Sequence, residues 1–163
     1  MGVLWYNTSA LLLDCTEATF AKVGLSYQQY VILMTMLSMD GLITATGLAR
    51  RLVRKTNTMS TMLDRMERQG LVKRIRDLPD RRLVRVVVTQ KAMEIMQQAT
   101  KLGWALMERL TSVYSEEELQ ILAGLIEKIR ERVLEELSSR NVMHEVPIQN
   151  YQKVTRLLEE MES

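Results

Sequence analysis

The sequence predicts a mainly α fold with one small β-hairpin, a winged helix-turn-helix core flanked by long helices. Three observations point there. Apolar residues recur at helical spacing almost throughout, and switch to a period of two only around residues 71–88. Three short helical segments with capping residues precede that switch, and longer amphipathic ones flank the whole. Charge is segregated as well. Thirteen of the 22 Lys and Arg lie between Thr44 and Lys91 with only four acids, whereas residues 1–43 hold one base and three acids and residues 92–163 hold eight bases and thirteen acids. The formal net charge of +2 therefore conceals a basic block between two acidic arms.

Each element follows from local signals. Val3 to Val23 carries Leu4, Leu11, Leu12, Cys15, Phe20 and Val23 at helix-compatible spacing and closes at Gly24. Ser26 followed by Gln29 is a capping-box pattern that opens a helix reaching about Ser38. Asp40-Gly41 is a turn. Thr44 begins a short helix to about Val53, and another runs from about Asn57 to Gln69, with Gly70 where a helix C-terminus favours glycine. Two strand-like stretches, Leu71 to Arg76 and Leu83 to Val88, enclose a turn-rich charged loop from Asp77 to Arg82. Thr89 caps a helix to about Val113. Ser115 with Glu118 opens the last long one, with Leu119, Leu122, Ile126, Ile129, Val133 and Leu137 on one stripe. Beyond Pro147, the residues Ile148, Tyr151, Val154, Leu158 and Met161 are in helical phase. The long helices are too apolar along one stripe to stand alone in water, so they pack on each other, on a partner chain, or on both.

Composition narrows the function classes. At 163 residues and 47% hydrophobic, the chain is long enough for one domain with a core. Its one cysteine, Cys15, excludes an intramolecular disulfide and suits a reducing cytosol; beside Asp14 and Glu17 it reads as a small buried hydrophobe. No stretch approaches the roughly 20 apolar residues of a membrane span. Met1 to Leu13 lacks a basic start and a cleavage site, and Tyr6 occupies the position where an acylation signal needs Ser or Thr. A cytoplasmic protein with no membrane partner is expected. The single histidine, His144, has no ligand-spaced companions, and no phosphate-binding glycine loop or nucleophile elbow is present. Neither an enzyme, nor a metal site, nor a cofactor is expected.

The basic block offers a coherent DNA-binding geometry. In a helix-turn-helix the second helix enters the major groove by its N-terminal residues. Here those are Lys55, Thr56, Asn57, Thr58, Ser60 and Thr61, whose hydroxyls and amide can bond base edges or phosphates. Met59, Met62, Leu63 and Met66 form the opposite, buried face, while Arg65 and Arg68 point toward phosphate or solvent. A polar helix start can be only a cap, and arginines on a hairpin can be only edge protection. Together, on a segment with thirteen bases and four acids, they favour double-stranded DNA. The alternative is a winged-helix scaffold whose basic hairpin binds an acidic protein. The polar turn at Thr56 to Thr58 counts against it, because protein interfaces favour aromatic anchors.

These residues also resemble a known family. Leu25-Ser26-Tyr27-Gln28-Gln29-Tyr30-Val31-Ile32-Leu33 resembles the second helix of MarR-type regulators, the multiple-antibiotic-resistance regulator family. Leu48-Ala49, Leu52 and Met62 to Arg74 look like its recognition-helix signature, and Pro79-Asp80-Arg81-Arg82, Val84, Val86 and Val88-Thr89 look like its wing and exit. The resemblance covers about residues 3–140 and implies a DNA-binding lobe at 26–91 and dimerisation helices at 1–24 and 92–140. With a helical extension expected at 141–163, past the last family-like helix, the chain reads as one domain over residues 1–163. The resemblance also implies a homodimer on a pseudo-palindromic operator, with Arg81 and Arg82 serving the wing and Asp64 orienting the wing by pairing with Arg82. Thr61 stands where many members have a base-contacting arginine, Gly47 replaces a frequent helix-forming acid, and Ala92 replaces a frequent glycine.

Such regulators, commonly repressors, often respond to small aromatic or phenolic effectors in a cleft between the lobes. Trp5, Tyr30 and Trp104 are the lining residues the resemblance suggests, although an aromatic at helical spacing is more often ordinary core. Peroxide-sensing members place their cysteine well upstream of the tyrosine corresponding to Tyr27, whereas Cys15 lies close before it. Cys15→Ser is therefore expected to bind DNA like the parent chain, with oxidant releasing neither; peroxide-dependent release that disappears in the variant would show otherwise.

Overall fold

The computed structural model describes residues 2–52, 54–77, 83–138 and 154. In chain order they form α1 (Gly2–Ala21), α2 (Tyr27–Ser38), α3 (Ala45–Arg51), α4 (Thr56–Arg68), β1 (Val72–Ile75), β2 (Arg85–Val88), α5 (Gln90–Thr111) and α6 (Glu116–Ser138). The expected mainly α architecture with one hairpin is the one observed. Among the described residues no helix is long and apolar enough to cross a membrane.

Capping chemistry explains most boundaries. Ser26 accepts the Gln29 amide N–H and the Gln29 side chain accepts the Ser26 N–H, which completes the capping box of α2. Thr44 accepts the Gly47 N–H at the start of α3, and Thr89 does the same for Ala92 at the start of α5. Ser115 and Glu118 exchange the equivalent pair of bonds before α6. At the end of α4, Gly70 takes φ +72°. Its N–H bonds Glu67 O at 2.9 Å and the Leu71 N–H bonds Met66 O at 2.9 Å, a double closure available only with a left-handed residue between. Helix α1 stops at Ala21, two residues short of the expected end, because residues 22–24 close a turn on Thr19, Phe20 and Ala21.

The two strands pair antiparallel with Val72 opposite Val88 and Ile75 opposite Arg85. Val86 N also bonds Ile43 O at 2.9 Å, so the segment before α3 extends the hairpin on its β2 side. Only four residues of each expected strand pair in this way. Leu33, Met36, Leu48, Met59, Leu63 and Met66 are fully buried together with Met96 of α5, forming one core beneath α2, α3 and α4. Unbranched methionines fill the irregular gaps between helices that cross at an angle. The expected tail lies outside the described residues except Val154, which is helical and buried in this core.

Helices α1 and α6 are different. Of α1 only Thr19 and Phe20 are buried, and Cys15 is exposed instead of buried as expected. It lies on the length of α1 that reaches past the core, where local sequence gives no hint of exposure. Ile121, Leu125, Ile126 and Val133 of α6 are exposed as well.

Removing a cap tests this account. Ser26→Ala should cost about 1 kcal/mol. Gly70→Ala should cost about 1–2 kcal/mol from the backbone alone, since an added Cβ would meet only the Lys91 side chain at 3.8 Å. Urea unfolding followed by circular dichroism measures both.

Candidate functional site

The first candidate surface is the start of α4. Lys55, the residue before it, makes no side-chain cap bond, and Lys55, Thr56, Asn57 and Thr58 are exposed. A helix whose first N–H groups lack a side-chain acceptor suits an anionic oxygen, because those donors and the helix dipole both point at it. Ser60 is half-buried; Thr61 and Arg65 are exposed or partly so. The Thr61 hydroxyl donates to Asn57 O at 3.0 Å, leaving its oxygen and methyl toward solvent. Beneath them Met59, Leu63 and Met66 are fully buried, with Met62 partly so, and they fix which face of α4 looks outward.

An arginine that sequence reasoning did not single out organises the back of this helix. The Arg74 guanidinium pairs with Asp64, reaches Glu67 Oε2 at 3.4 Å and donates to Ser60 O at 3.2 Å, while its backbone N–H donates to Glu67 Oε1 at 2.9 Å. Its place on β1 carries the signal: Arg74 shares the strand face of buried Val72 and lies opposite buried Val86, so it points at α4. Asp64 is thus held by Arg74. Arg81 and Arg82 lie outside the described residues, as does any pairing of Asp64 with Arg82.

The base of the hairpin has its own clamp, between Arg85 at the start of β2 and Asp77 just beyond β1. The hydrogen bond from Arg85 and its positive charge hold the Asp77 carboxyl below its ordinary value.

The second candidate is a cavity of about 610 Å³ between α1, α2 and α5. Tyr30 and Trp104 line it, as do Phe20, Met34, Thr100 and Gly103. Tyr30 packs on Phe20 with ring centroids 4.4 Å apart and planes tilted by 33°, and its hydroxyl shares a 3.1 Å hydrogen bond with Thr100 Oγ1. Gly103 permits the close approach of α5 to α1, since a Cβ there would lie 3.3 Å from the Phe20 ring. Trp5 is not among the lining residues. It sits on α1 one turn before Ser9, the first residue of that helix in the wall, and is 59% exposed. Among the described residues no three His, Cys, Asp or Glu side chains gather as metal ligands.

Comparison with known proteins decides the family. The MarR family model matches residues 25–84. YfiV, an HTH-type transcriptional regulator of Bacillus subtilis strain 168, is 33% identical over 129 residues, which are 78% of this chain and 78% of YfiV. The chain belongs to the MarR family. Similar folds include the organohalide-sensing transcriptional regulator RdhR-CbdbA1625 with 2,4-dichlorophenol bound, at TM-score 0.69 and 25% identity over 82% of this chain and 80% of that one. S. aureus MepR in complex with DNA matches at TM-score 0.68 and 22% identity, over 80% of this chain and 96% of MepR. MarR-family membership makes the chain a transcriptional regulator and not an enzyme.

For the hairpin clamp the pH dependence is fixed by the sign of the shift. A carboxyl held below its ordinary value contributes fully at neutral pH, and its contribution disappears as the pH falls through the lowered value. In an NMR titration the Asp77 carboxyl carbon should therefore have its midpoint below that of an ordinary aspartate, and Arg85→Gln should raise it toward the ordinary value.

Proposed function

We propose that this MarR-family chain works as a cytoplasmic homodimer that binds a pseudo-palindromic DNA operator, most simply as a repressor, and that a small molecule in the α1–α2–α5 cavity releases it. The observation that carries the DNA reading is the uncapped, exposed start of α4 at Lys55 to Thr58, set on a rigid apolar back and within the basic block. Thr56, Asn57, Thr58, Ser60 and Thr61 would face base edges and phosphates in the major groove, with Arg65 toward the backbone. Arg81 and Arg82, which fall between the two strands in sequence, would serve the flanking minor groove. The similarity to MepR, solved with DNA, supports this placement. The exposed apolar residues of α1 and α6 support a second copy of the chain as their cover, since monomers seldom leave so large a contiguous apolar surface open. The cavity supports an effector, as does the dichlorophenol held by the similar RdhR regulator.

Fluorescence anisotropy with a duplex spanning the chain's own promoter, against a scrambled duplex at two salt concentrations, tests the reading. A preference of about a thousandfold at physiological salt is expected. Equal, salt-sensitive binding to both would deny a specific operator in that promoter, and absence of binding at low salt would favour the acidic-protein scaffold. Replacing Arg81 and Arg82 by alanine should weaken binding and flatten the dependence of log affinity on log salt, by roughly one unit for each phosphate no longer neutralised.

A further inference from the structure

The cavity also carries information about the charge of what it binds. None of its described lining residues is Lys, Arg, His, Asp or Glu. Its side-chain polar atoms are hydroxyls, those of Ser9, Thr16, Tyr27, Tyr30 and Thr100, set in a wall that is otherwise apolar apart from the Trp104 ring nitrogen. Lys101 follows Thr100 on α5 but is exposed and is not in the lining. An acid is tied directly to the lining, since Glu17 Oε2 accepts the Tyr27 backbone N–H at 2.7 Å.

We propose that the cavity selects an uncharged ligand that carries a hydroxyl group, and discriminates against the ionised form of the same molecule and against carboxylates of the same size. This rests on the reading of the cavity as the effector site. An anion entering such a wall leaves its hydration shell and finds no cation among the described lining residues to replace it, a penalty far above that of desolvating a neutral hydroxyl. A neutral hydroxyl has a partner. Thr100 Oγ1 has one proton and two lone pairs, more capacity than its bond to Tyr30 uses, and it stands in the same wall as the Trp104 ring. The aromatic and methionine side chains supply the apolar contact, and Phe20, braced by Tyr30 and close to Gly103, fixes the depth of the cavity.

A phenol that ionises near neutral pH lets one molecule test both charge states. The probe is 4-nitrophenol, whose phenolate absorbs near the visible and whose neutral form does not, titrated across pH with and without the full-length protein in excess. Equilibrium dialysis beside it measures occupancy. Selection of the neutral form raises the probe's apparent ionisation midpoint, by about one pH unit for each tenfold preference. Binding of 4-ethylbenzoate should be at least about a hundredfold weaker than that of 4-ethylphenol. Thr100→Val, folded as judged by circular dichroism, should weaken 4-ethylphenol roughly three- to tenfold. An unshifted or lowered midpoint on bound 4-nitrophenol, or equal affinity for the benzoate, overturns the proposal while leaving the cavity as a binding site. Saturable binding of none of the three probes overturns the cavity reading and the proposal with it.

Discussion

A buried amide holds the two candidate sites in one frame. Gln29, 8% exposed in the first turn of α2, accepts the Ser26 N–H and donates to the Gln69 side chain at the end of α4. A buried amide left unsatisfied is costly, so the register between the start of α2 and the end of α4 is set by the need to keep both bonds. The next stretch of chain depends on that register. Gln69 passes to the left-handed Gly70, whose carbonyl accepts the Thr89 hydroxyl at 2.7 Å, and Thr89 caps α5. The start of α2, the end of α4, the hairpin and the start of α5 are therefore joined by a continuous set of hydrogen bonds. The same turn of α2 places Tyr27 and Tyr30 in the cavity wall. One turn of α2 thus joins the cavity wall to the end of α4.

The electrostatics of the basic block are divided between structure and surface. Three of its four acids pair locally: Asp64 and Glu67 hold Arg74, and Asp77 holds Arg85. These pairs are partly exposed and individually contribute little to stability. Their geometry matters more, because each connects the hairpin to a neighbouring element or closes its base. Neutralising structural arginines with local acids leaves the outward cations, Arg50, Arg54, Lys55 and Arg65 among them, to dominate the field at the start of α4.

Local signals were the legible ones. Capping boxes at Ser26 and Ser115, hydroxyl caps at Thr44 and Thr89 and the glycine after α4 mark helix ends through bonds spanning only a few residues, so their spacing in the sequence suffices. Tyr30 and Trp104 were legible as cavity candidates only through family resemblance, and Thr100 not at all, because its pairing with Tyr30 spans 70 residues of chain. Cys15 shows the reverse failure. Helical phase says that α1 has an apolar side; it does not say where along α1 the core stops. Arg74 was hidden among the other basic residues of β1, since what distinguishes it is the face of a strand whose register is set by distant Val86.

The division of α1 has a mechanical consequence. Its C-terminal turns bury Thr19 and Phe20 against the body, while Val3, Leu4, Trp5 and Tyr6 project apolar surface with no cover in the single chain. In the proposed dimer that exposed length belongs to the partner contact, and the cavity lies where the two regimes meet, between Ser9 and Phe20. A ligand seated there touches α1 on its way to the interface, α2 on its way to α4, and α5 between them. Binding energy can change DNA affinity only if it differs between two arrangements of these helices. The α1–α5 contact is close, since a Cβ at Gly103 would lie 3.3 Å from the Phe20 ring, so a ligand seated between these helices bears on both. Between α2 and α4 the Gln29 amide bonds the Gln69 side chain. In the proposed dimer such a difference would be read out as a change in the spacing of the two α4 helices.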